Sequence, residues 1–111
     1  MATISNLYVD AGSTYSNIIT VTASNGQPFN LTGYTVASQM RKSYQSSQVY
    51  AFTASIYVAQ SGKIRLQLTD EQSALIPSGR WLYDVEISSP TGTTSRVVEG
   101  IVTVNPQITQ I

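Results

Sequence analysis

The 111-residue sequence contains no cysteine and no histidine. The first absence excludes a disulfide scaffold and thiolate chemistry. The second removes the usual general base at neutral pH and the commonest metal ligand. Charge is scarce and balanced, with six basic against six acidic residues. Such a chain carries no electrostatic footprint for nucleic acid or for an anionic membrane. No apolar run approaches the ~20 residues that span a bilayer. The opening residues, Met1 to Asn6, lack the basic and apolar blocks of a secretory signal, so synthesis in a cytoplasm is expected. An enzyme is not expected from this inventory, and no cofactor is implied.

What is present is β-forming sequence. Arg80 to Ile87 alternates apolar and polar side chains, and after a polar turn Arg96 to Pro106 supplies a second long strand. Upstream, Ile4–Val9, Tyr15–Ala23, Tyr34–Lys42, Val49–Val58 and Lys63–Leu68 read as further strands. Asn25-Gly26 and Ser61-Gly62 are turn signals, and Ser43–Gln48 is a polar tip. Thr69-Asp70-Glu71-Gln72 has capping-box spacing and predicts a short helical turn near residues 70–75, stopped by Pro77 and Gly79. Gly100 within a strand predicts a bulge or a close backbone approach.

About seven strands and one short helix predict an all-β protein: a single antiparallel, immunoglobulin-like β-sandwich over residues 1–111. Residues 106–111 would form a C-terminal arm. The expected core is Ile19, Val21, Val36, Met40, Phe52, Ile56, Ile64, Leu66, Leu68, Leu75, Trp81, Tyr83, Val85, Ile87, Val98, Val102 and Val104, with Leu31 plugging its end. Tyr83 after a helical turn is analogous to the tyrosine that pins a corner of immunoglobulin-like domains, an analogy that carries no function.

Few constellations suggest chemistry. Asp84 and Glu86 lie two apart on one strand face, ~7 Å from each other, which an inverting glycosidase could use. The plainer expectation is a solvated face paired with Lys63, Arg65 or Arg96. Asp10, Asp70 and Glu71 are oxygen donors of the kind calcium takes, but nothing resembles a calcium loop, and no metal site is expected. Of the tyrosines, Tyr44 in the polar tip is the one expected to stand exposed, where it could stack on a sugar. The ends invite assembly. Ile4, Leu7 and Tyr8 lie on a strand without lysine or proline to protect its edge, and Ile108 and Ile111 fall in the tail.

Four stretches carry a resemblance: Leu31-Thr32-Gly33-Tyr34-Thr35, then Ser61 to Gln72, then Gly79 to Ile87, then Arg96 to Pro106. They resemble small immunoglobulin-like virion proteins of tailed bacteriophages, and are similar in particular to the N-terminal domain of phage upper baseplate proteins. The resemblance spans roughly residues 28–106. It implies a non-enzymatic virion component in tail, baseplate, neck or capsid decoration. Its partners would be other virion proteins and copies of itself, gripped through strand edges and termini. A carbohydrate-binding module using the 43–48 loop, with a host surface glycan as ligand, is the alternative.

Overall fold

The computed structural model describes residues 3–23, 25–43 and 45–106. These residues contain eight strands: β1 (Thr3–Ile4), β2 (Leu7–Asp10), β3 (Tyr15–Thr20), β4 (Thr35–Arg41), β5 (Val49–Val58), β6 (Lys63–Leu68), β7 (Gly79–Ser88) and β8 (Thr94–Asn105). A short α-helix, α1 (Asp70–Ala74), joins β6 to β7, and a single 3-10 turn (Ala59–Ser61) joins β5 to β6. The protein is thus all-β, as its alternation predicts.

The strands follow one curled path, β1-β8-β7-β4-β5-β6-β3, with β2 continuing β1 along β8. The curl is made by β5. Its residues Phe52 and earlier pair with β4, and Thr53 onward pair with β6. A ten-residue strand that changes partner midway turns the sheet through a corner. The expectation of a wholly antiparallel sandwich needs correction. β1 and β2 run parallel to β8, so the sheet is mixed, and it forms a half-barrel rather than two independent layers.

The core fills the concave side. Trp81, Tyr83, Val85 and Ile87 of β7 point inward, as do Val98, Val102 and Val104 of β8 and Ile64, Leu66 and Leu68 of β6. Leu31 is fully enclosed. The Trp81 indole N–H donates to the Pro77 carbonyl (2.9 Å), which removes the cost of burying its one polar atom.

Several core assignments differ from expectation. Leu75 is 71% exposed, and Ile76 (3%) takes its place. The capping box forms as predicted, with the Gln72 N–H donating to Thr69 Oγ1 (3.1 Å) and the Thr69 N–H to Gln72 Oε1 (2.8 Å). The helix it starts ends at Ala74, so Leu75 leaves the helix facing solvent. Val36 and Ile56 are only half-buried against the core. Leu7 and Val9, read as part of an outlying edge, are core residues at 3% and 0% exposure.

Candidate functional site

β1 and β2 keep one register along β8. Ile4 is level with Glu99 and Leu7 with Val102. A parallel ladder would run from the Ser5 N–H to the Glu99 carbonyl and back from the Ile101 N–H to the Ser5 carbonyl. The first bond is present (2.9 Å). The second is diverted: the Tyr83 hydroxyl donates to the Ser5 carbonyl (2.5 Å), and the Ile101 N–H donates to Asn6 Oδ1 (3.1 Å). Gly100, paired with Tyr83 across β7 and β8, makes room for this. A Cβ there would collide with the Ser5 carbonyl. Gly100 is therefore the close approach rather than the bulge, which lies one turn of the ladder away, where Val97 is left over between the Val85–Val98 and Glu86–Arg96 pairs.

The same register arranges the outer face of β4, β7 and β8. Leu82 is flanked by Ile101 and Arg41, and Asp84 by Glu99 and Gln39. A groove of about 590 Å³ runs over this face, with Leu82, Ile101 and Ile4 among its apolar walls. Arg96 spans Asp84 and Glu99 at 3.1 Å each. The Glu99 hydrogen bond, then the Asp84 charge, hold the Arg96 guanidinium above its ordinary pKa. Of the three cations named as partners for the carboxylate pair, Arg96 is the one used. Lys63 instead reaches Thr20 Oγ1 (3.4 Å), and Arg65 lies 4.2 Å over the Tyr57 ring. Asp84 is thereby tied into an ion-pair triad, while Glu86 stands farther along the groove.

The other candidates fall as follows. Ile4 (73% exposed) and Tyr8 (68%) project from the outer face beside the groove, whereas Leu7 points the other way. Leu7 is thus removed from the exposed set by the strand's own alternation. Tyr44, Ile108 and Ile111 lie outside the described residues. Tyr8 and Tyr57 are exposed, against the expectation that Tyr44 would be the one. Tyr15 packs on Phe52 (centroids 5.9 Å), and burial raises its pKa; Tyr34 packs edge-on against Phe29 (5.5 Å). Burial likewise pushes Tyr83 up to about 12, with the Ser5 bond working in the opposite direction. Asp10 accepts from the Asn105 amide (3.1 Å), and among the described residues no three acidic side chains converge on one point.

Among the described residues, the curled sheet also leaves two open edges. On β1–β2, the Ser5 and Ala11 N–H groups donate to β8. Alternation therefore turns the backbone groups of Ile4 and Tyr8 away from the sheet. The opposite edge, β3, pairs only with β6 among the described residues. A cavity of about 370 Å³ lies between the edges, bordered by residues 3–5 on one side, 17–20 on the other, and Val98. The sequence offered one sign of this, the unprotected strand at Ile4–Val9. It gave none that β1–β2 and β3 would border a common gap.

No family model matches the sequence, and no curated protein matches it. Among solved structures, the chain is similar to the N-terminal domain of phage TP901-1 ORF48. The similarity covers 91% of this chain and 85% of that one, with a TM-score of 0.59 and 16% sequence identity. At that identity the likeness is one of fold.

Proposed function

We propose that the chain is a non-enzymatic structural component of a tailed-phage virion, working by protein–protein contact in tail, baseplate, neck or capsid decoration. The observation that carries this reading is the fold shared with a phage domain over nearly the whole length of both chains. Three features of the chain support it. The unpaired edges carry no lysine or proline. Apolar side chains stand exposed at Ile4, Tyr8 and Ile101. Two of the three groove carboxylates, Asp84 and Glu99, are held in ion pairs by Arg96. Other virion proteins are the partners on this reading, and the particle is its location.

The test is to express the chain with the genes that flank its own and to purify the assembled particles. Mass spectrometry should find the chain in the particles at a fixed ratio to the other virion proteins. Its absence from intact particles would refute the reading.

A second reading, a carbohydrate-binding module, draws on the position of Ser43 in the groove wall, at the start of the 43–48 loop. A glycan array with the wild type and Tyr44→Ala tests it. Selective binding that disappears in the variant would favour it over a purely structural role.

A further inference from the structure

The charged residues are unevenly placed. Residues 1–40 contain one, Asp10, and the other eleven lie between Arg41 and Glu99. Both open edges come from this nearly uncharged stretch, β3 with no charged residue and β1–β2 with Asp10 alone, at its end. Sheet edges are normally guarded by lysine, proline or an inward charge, and these are not. An edge that meets a copy of itself across a two-fold axis has a particular need to be neutral, because every residue near the axis faces its own kind and like charges would repel.

The β1–β2 edge has a further property. Ile4 and Tyr8, with Asn6 between them, turn their backbone groups outward, and the Ile4 and Tyr8 side chains are among the most exposed large apolar groups of the described residues. They lie symmetrically about Asn6. If two such edges pair antiparallel with the axis at Asn6, Ile4 of one copy falls opposite Tyr8 of the other, twice. Each pair joins a β-branched residue to an aromatic, a favourable cross-strand combination. The Asn6 side-chain oxygen is turned back to accept from the Ile101 N–H, which leaves its backbone groups at the axis. The nearest charge, Asp10, is at the end of the strand and already holds Asn105. β3 presents one strongly exposed apolar residue, Ile18, and no comparable pair.

We infer that the occupant of the β1–β2 edge is a second copy of this chain, paired antiparallel about Asn6 so that the two sheets become continuous. This rests on the assembly reading above and names one of its partners.

The absence of cysteine makes the register directly testable. Residues directly opposite at a hydrogen-bonded antiparallel position have Cα atoms about 5.5 Å apart, within disulfide reach. A mixture of Ile4→Cys and Tyr8→Cys chains, oxidised and run without reductant, should give a covalent dimer at several times the yield of either variant alone. In sedimentation velocity the wild type should be a dimer. Tyr8→Lys should weaken it by about tenfold or more, and Ile18→Lys on the β3 edge should not. Urea midpoints equal to wild type would show that both lysine variants are folded.

A wild type that stays monomeric at ~100 μM would overturn the inference, since that affinity is too weak to hold an edge in an assembly. So would equal cross-linking in the unmixed variants, or loss of the dimer through Ile18→Lys instead. A monomer that still enters particles would sink the two-fold edge and leave the virion reading standing. A register-specific dimer absent from particles would do the reverse.

Discussion

The Tyr83 hydroxyl lies 2.5 Å from the carbonyl oxygen of Ser5, a residue 78 positions earlier in the chain. That bond replaces a rung of the β1–β8 ladder and ties the start of the chain to the middle of the sheet. It also explains why a tyrosine stands among the core residues of β7: its ring packs edge-on against Phe52 (6.1 Å) while its hydroxyl reaches the Ser5 carbonyl. Tyr83→Phe keeps the ring and removes the donor. A stability loss of about 1–2 kcal/mol is expected, because the Ser5 carbonyl is then left under-satisfied. Urea unfolding of the two proteins at pH 7 measures it. An unchanged midpoint would mean that the Ile101 N–H returns to Ser5 at no cost.

The same hydroxyl gives the fold an alkaline limit. Its folded-state pKa is raised to about 12, mainly by burial, while the unfolded chain releases the proton near 10. Below pH 10 both states hold the proton and the contribution is complete. Between pH 10 and 12 the unfolded state binds fewer protons than the folded one, so stability falls as pH rises. A difference of that size between the two states corresponds to a loss of at most about 2–3 kcal/mol across this range. Other groups titrate in that range, so the informative quantity is the difference between wild type and Tyr83→Phe. It should shrink from pH 9 to pH 12. A difference independent of pH would show that Tyr83 ionises as freely in the folded protein as in the unfolded chain.

Gly100 is fixed by the same junction. A methyl group at this position would meet the Ser5 carbonyl, which is backbone and cannot swing aside. Gly100→Ala should therefore cost about 2–3 kcal/mol through displacement of β1. Tyr83→Phe and Gly100→Ala act on one contact, so their effects should not add. A double variant whose loss equals the sum of the two would show that Gly100 matters for some other reason.

Ser73 is a buried polar residue whose role no sequence signal announced. Its hydroxyl accepts from the Gly12 N–H (3.0 Å) and donates to the Ser13 carbonyl (2.8 Å), so α1 clamps the turn between β2 and β3. Ser73→Ala leaves both backbone groups short of a partner and should cost about 1–3 kcal/mol. Hydrogen exchange should show the loss first at Gly12. Unaltered protection there would mean that water substitutes for the hydroxyl.

What could be read from the sequence was local. The alternation from Trp81 to Ile87 needs no partner to be recognised, and the Thr69–Gln72 capping box is complete within four residues. Leu7 and Val9 were illegible for a definite reason. The strand from Ile4 to Val9 has large apolar residues on both faces, Ile4 and Tyr8 on one and Leu7 and Val9 on the other. Only its pairing with β8, some 95 residues later in the chain, decides which face is covered. The diverted bonds of Ser5 and Asn6 were beyond reach on the same account. Asp84 and Glu86 were identifiable as a solvated pair, but the choice of Arg96 as partner depends on the bulge at Val97, which sets where β8 presents its side chains.

Leu75 and Ile76 test how far helix periodicity misleads at a terminus. By the spacing of a helix begun at Thr69, Leu75 belongs inside; in the structure it is the exposed C-cap, and Ile76 turns into the core. The N–H groups of both are already used, Leu75 bonding back to Gln72 and Ile76 to Ser73, so the turn is fixed before the side chains choose a direction. Leu75→Ser should accordingly change stability by less than about 0.5 kcal/mol, as surface substitutions do. Ile76→Ala opens a cavity in a packed interior and should cost about 2–4 kcal/mol. Equilibrium unfolding of the two variants in parallel separates the cases. If Leu75→Ser proved the more damaging, the helix would have to run one residue further than Ala74, carrying Leu75 inward and Ile76 out.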